Sequence, residues 1–161
     1  MQGLLRAAFL GVALTLAASP GVNAKTQAAT PAIAGTWELN TSASKVVGPA
    51  LKSETRVYKV NGIKVTMHAD GIDAAGKSVT SSYSAAYDGK PYPTVGNPLG
   101  DNIALTKVNS RTVTAIVRKG SKVTATARAV VSNDGKHLTI TRKIGSVPAK
   151  RVTNILVYNK H

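Results

Sequence analysis

From Gly35 to the C-terminus the chain is a succession of short alternating runs broken by turn residues, and that rhythm restricts it to an all-β fold. Gly35–Leu39 (GTWEL) puts Gly35, Trp37 and Leu39 on one face and Thr36 and Glu38 on the other. Thr55–Val60 (TRVYKV) is a second run. Asn61–Gly62 then reads as a two-residue hairpin turn, since both residues tolerate positive φ. Ile63–Ala69 returns with Ile63, Val65, Met67 and Ala69 in phase. Val79–Tyr87, Ile103–Val108, Thr112–Arg118, Lys122–Val131, His137–Lys143 and Val152–Tyr158 bring the count to nine candidate strands. Asn40–Lys52 is polar and reads as a loop. Lys90–Gly100 reads as irregular, because Pro91, Pro93 and Pro98 each remove a ladder donor.

The separators are mostly short, so sequential strands must pair antiparallel as a meander. A meander of this size either exposes long edges or closes on itself, and closure removes the edges. A sandwich would need longer crossovers. The expected architecture is therefore a single antiparallel up-and-down β-barrel of about eight or nine strands, spanning residues 35–161.

Ahead of it lies MQGLLRAAFLGVALTLAASPGVNA: one positive charge, Arg6, an apolar core, and small residues Val22 and Ala24 in signal-peptidase positions. The expectation is a signal peptide over residues 1–24 cut after Ala24, a flexible leader over residues 25–34, and a periplasmic or secreted product. The apolar core is short for a bilayer span, which needs about 20 residues. The chain has no cysteine, which excludes disulfides, thiolate metal sites and thiol nucleophiles.

Lys and Arg number 21 against 7 Asp and Glu, a formal +14. From Lys107 onward there are 12 basic residues and one acid, Asp134. Such a field favours anionic partners. For an exported protein these are anionic lipid or polysaccharide of the envelope rather than nucleic acid. The same charges also serve simple solubility.

Two short strands carry a resemblance. Gly35-Thr36-Trp37 resembles the Gly-x-Trp opening of lipocalins and fatty-acid-binding proteins, and Ile155–Lys160 resembles the terminal strand of the latter. The chain from Gly35 onward also resembles a group of small, functionally uncharacterised exported bacterial proteins with a lipocalin-like (calycin) barrel. Its shared segments are GTW-x-L-N, Tyr87–Pro93 (YDGKPYP), the Asp134–Lys136 turn and a Val-Tyr-x-Lys ending. The resemblance implies a barrel open at one end, with Trp37 packed at the closed end under a stacked arginine, Arg142 or Arg151. Two features of fatty-acid-binding proteins do not transfer. Leu156 stands where they place a carboxylate-clamping arginine, and Asn40–Lys52 is too short for their helical lid.

No motif for catalysis emerges. His68, His137 and His161 lack metal-ligand spacing, so no metal or cofactor is expected. No Gly-x-Ser-x-Gly elbow or phosphate-binding glycine loop is present. Asp70 and Asp73 read as turn residues. Two features suggest a binding site instead. Val123, Ala125, Ala127 and Ala129 present small side chains on one face, which leaves a barrel hollow or merely narrow. Arg142 shares parity with the inward Leu138 and Ile140, so it either meets an anion, with Tyr58, Tyr83 or Tyr87 supplying hydroxyls, or escapes to solvent or onto Trp37. The expected function is non-catalytic binding of a small apolar or amphipathic ligand, or else adhesion to an anionic envelope surface.

Overall fold

The computed structural model describes residues 31–147 and 150–161. They form ten strands: β1 Gly35–Lys45, β2 Ser53–Asn61, β3 Lys64–Ile72, β4 Ser78–Ala86, β5 Asp88–Val95, β6 Asn102–Asn109, β7 Thr112–Lys119, β8 Lys122–Val131, β9 His137–Ile144 and β10 Val152–Lys160. Each pairs antiparallel with its neighbours in sequence, and β1 pairs with β10 to close the barrel. The signal-peptide expectation and residues 25–30 lie outside the described residues.

The barrel therefore has the expected meander topology with one strand more than the upper expectation. The extra strand is β5, inside the proline-rich stretch read as irregular. Pro91 and Pro93 are two residues apart, so their missing donors fall on the same edge of the strand. The other edge still pairs with β6 through Pro91, Tyr92 and Pro93, whereas β4 is met only at Ser82↔Val95 and Tyr83↔Thr94. A second difference lengthens β1 to Lys45. Its ladder to β10 shifts register between Asn40 and Lys45, and the Asn40 side chain takes up the bulge by accepting from Ala43 N–H at 3.0 Å. Ser44 Oγ accepts from Val157 N–H at 2.9 Å, so a hydroxyl bridges the closing seam. The first hairpin turn sits one residue later than its Asn-Gly signal suggests. Gly62, at φ 59°, and Ile63 are its central residues, and Ile63 is exposed rather than inward.

Odd-numbered strands run from one end, the base, to the other, the mouth. The base holds the packed core. Trp37, Tyr158, Leu138, Val65 and Val131 are the largest fully buried side chains, and all five lie toward that end. Burying each contributes about 1.5–3 kcal/mol. Residues 31–34, expected in a flexible leader, instead cross the base. Ile33 is buried there, its carbonyl accepts from Trp37 Nε1 at 2.8 Å, and Ala32 N–H donates to Ser110 O at 2.8 Å. An indole donor buried under the barrel needs an acceptor, and this segment supplies it. Among the described residues, the packed unit thus includes residues 31–34.

Along β3 the alternation is strict, with Val65, Met67 and Ala69 buried and Lys64, Thr66, His68 and Asp70 exposed. An apolar interior and polar exterior reverse the pattern of a barrel that faces lipid. No helix among the described residues is long and apolar enough to cross a membrane.

Candidate functional site

Above the packed base the barrel is hollow. A cavity of about 480 Å³ opens toward the mouth, a size typical of small-molecule sites. Its floor includes Ile33, Leu105 and Val113, and its wall Ala115, Ala127, Ala129, Ile140 and Leu156. Ala115 and Ala127 are cross-strand partners on β7 and β8, as are Ala129 and Ile140 on β8 and β9. Facing small side chains leave the volume that larger ones would fill. Leu51, Pro49, Pro98 and Leu99 line the lip. Gly96, at φ 66°, lets the β5–β6 connection lie directly on the Thr80 backbone of β4, where a Cβ would collide.

One polar cluster breaks the apolar lining. Glu54, Arg56 and Tyr58 alternate along β2 and face inward. Arg56 Nε donates to Glu54 Oε2 at 2.7 Å and Nη2 to Oε1 at 3.0 Å, a two-point carboxylate–guanidinium pair. Tyr158, on β10, donates its hydroxyl to Glu54 Oε2, and the Arg56 guanidinium lies 5.4 Å from the Tyr158 ring centre. Burial alone would raise the Glu54 carboxyl, but the Arg56 charge and the hydrogen bonds from Arg56 and Tyr158 prevail and hold it below the usual carboxylate range. Arg56 also donates to the Tyr58 hydroxyl at 3.5 Å.

Arg142, on β9, stands between Ala127 of β8 and Asn154 of β10 in register. Its Nε is buried without a hydrogen-bond partner. Asn154, the adjacent amide, has its Oδ1 occupied by Val47 N–H at 2.9 Å. Burial first, and then the Arg56 charge, lower the Arg142 pKa. Glu54 is committed to Arg56 and Tyr158, so the cluster holds two cations against one anion. Asp73 also borders the cavity, at the lip, where its Oδ1 accepts from Lys77 N–H at 2.8 Å.

Of the residues singled out from the sequence, Arg142, Tyr58 and Tyr83 meet at this cavity. Burial raises the Tyr83 hydroxyl well above its ordinary pKa. Tyr87 does not join them. It follows β4 at the base and packs against the core, with its hydroxyl pushed up to about 12 by burial and by Tyr58. Trp37 is buried at the base, but neither expected arginine stacks on it. Lys160 Nζ lies 5.1 Å from its ring centre instead. Arg142 is held in the cavity. Arg151 is at the mouth, where Nε donates to Gly145 O at 3.0 Å, because the β9–β10 connection lies at the opposite end from Trp37. Asp70 pairs with His68 on the outer face at 3.0 Å.

Sequence reasoning missed Glu54, Arg56 and Tyr158 as members of the site. The signal was present as Glu-x-Arg-x-Tyr, three polar groups on one face of one strand, but the strand was read from Thr55 and so lost its carboxylate. No known protein-family model matches the chain, and no curated protein matches it.

Proposed function

We propose that the protein is an exported lipocalin-like binding protein that holds one small amphipathic molecule inside its barrel and performs no chemical step. The observation that carries this reading is the buried, unpartnered Nε of Arg142, beside the self-paired Glu54 and Arg56, on the wall of a largely apolar cavity of about 480 Å³. A buried guanidinium N–H without an acceptor is costly, and an anionic group on the ligand supplies the acceptor the protein leaves out. The remaining lining gives non-directional apolar contact to a tail. The likeness of GTWELN and YDGKPYP to small exported bacterial barrel proteins agrees with this reading.

Native mass spectrometry of protein purified from the exported fraction, followed by organic extraction, tests it. A stoichiometric small molecule released by extraction is the expected result. Failure of the apo protein to bind either dodecanoate or dodecanol would refute it. The alternative partner, an anionic envelope surface, finds its support at the mouth of the barrel.

A further inference from the structure

The mouth carries two features together. Lys52, Lys77, Lys119, Lys122, Lys143 and Lys150 are exposed on or beside the mouth connections. Asp70, Asp73 and Asp101 are the acids exposed or half-exposed there; Asp70 pairs with His68, and the carboxylates of Asp73 and Asp101 accept from backbone N–H groups of Lys77 and Gly120. At the same end Val47, Val79, Val95, Val147 and Val152 are exposed, Val47 and Val95 by about two-thirds. The base is basic as well, but among the described residues it exposes only Ile63 and Val108 of this kind, and its basic side chains are interspersed with Glu38, Asp88 and Asp134. Charge alone does not distinguish the ends. The combination of lysines with protruding aliphatic side chains does.

We propose that the mouth rim is a docking surface for an anionic lipid bilayer, and that the barrel sits on it mouth-down. Lysines reach the headgroup phosphates while the short valines enter the acyl boundary, the division of labour that interfacial binding requires. A second copy seated mouth to mouth would set one ring of lysines against another. An anionic polysaccharide would match the lysines but offer the valines no apolar phase. Docking in this orientation stands whatever the cavity holds. Its consequence, that a lipid-derived molecule passes between bilayer and cavity without crossing bulk water, rests on the binding reading above.

The test is co-sedimentation of the mature protein with vesicles of phosphatidylcholine alone and of equal parts phosphatidylcholine and phosphatidylglycerol. Binding to the second and not the first is expected, and it should weaken as salt rises. Each lysine near such a surface is worth about fivefold in affinity, so Lys52→Gln/Lys119→Gln/Lys122→Gln should lower binding by more than about tenfold. Val47→Asp/Val95→Asp should do the same with folding unchanged by circular dichroism. The matched base variant, Lys64→Gln/Lys107→Gln/Lys136→Gln, should retain most of the binding. Equal losses from mouth and base variants would mean diffuse attraction and overturn the proposal. So would absence of binding to the anionic vesicles, or binding insensitive to the valine changes, the behaviour of a polysaccharide adhesin. A dimer abolished by the valine changes, without vesicle binding, would assign the rim to self-association and likewise overturn it. Docking without uptake of either dodecanoate or dodecanol would leave this proposal standing and remove the cavity reading alone.

Discussion

Arg56 closes a two-point hydrogen bond onto Glu54, two residues earlier on the same strand, at 2.7 and 3.0 Å. Adjacent inward positions on a strand bring a carboxylate and a guanidinium together without any help from the fold. What the fold adds is Tyr158 on the same carboxylate and Arg142 beside the pair with its buried Nε unpartnered. The pair neutralises itself, and the second arginine leaves the cluster with a net positive charge.

Replacing Arg142 separates stability from binding. Arg142→Met removes a half-buried cation whose Nε lacks an acceptor, so the apo protein should gain about 1–2 kcal/mol in urea unfolding. The same variant should bind dodecanoate about tenfold to a hundredfold more weakly, the usual worth of a charged hydrogen bond, and leave dodecanol binding nearly unchanged. Equal losses for both ligands would assign Arg142 a packing role.

Glu54→Gln should have the opposite effect on stability. It leaves Arg56 and Arg142 as two uncompensated cations in one cavity. The cost should be about 3 kcal/mol, at the low end for a broken buried pair because the cavity opens to water. Equilibrium unfolding at neutral pH reads it directly.

The same carboxylate sets an acid limb. The Glu54 pKa is lower in the folded protein than in the unfolded chain, so the unfolded state takes up the proton first. Its contribution is complete above the ordinary glutamate value of about 4.3 and fades as pH falls through the lower folded value. Wild-type stability should therefore drop below about pH 4, and Glu54→Gln should flatten that drop. Thermal melts of both proteins across the acid range provide the comparison.

Filling the hollow should abolish binding at little structural cost. Ala127 lines the cavity wall, where an added ring meets empty space. Ala127→Phe should shift stability by less than about 1.5 kcal/mol while reducing uptake of dodecanoate and dodecanol alike. An unaltered uptake would place the ligand elsewhere.

Trp37 governs the other end. Trp37→Ala should destabilise the protein by about 3–5 kcal/mol. Trp37→Phe keeps most of the packing but removes the donor to Ile33 O. It should accelerate amide exchange at Ala32, whose N–H is bonded to Ser110 O, more than exchange in β8 or β9.

The strand content, the meander and its closure were legible in the sequence because they depend on local quantities: period-two alternation, turn residues, and separators too short to cross between sheets. Parity alone also pointed Arg142 and Ala127 inward. Other features were decided only in three dimensions. The edge on which Pro91 and Pro93 lose their donors decides that β5 is a strand, and that depends on its neighbours. The partner of Trp37 is Lys160 because the closing strand ends at the base, whereas Arg151 enters at the mouth. Tyr158 meets Glu54 across 104 residues of chain, and whether Arg142 finds an acceptor depends on groups from several strands at once. Alternation tells a side chain which way to face. Only closure of the barrel determines what it faces, because the opposing wall is supplied by residues far away in sequence.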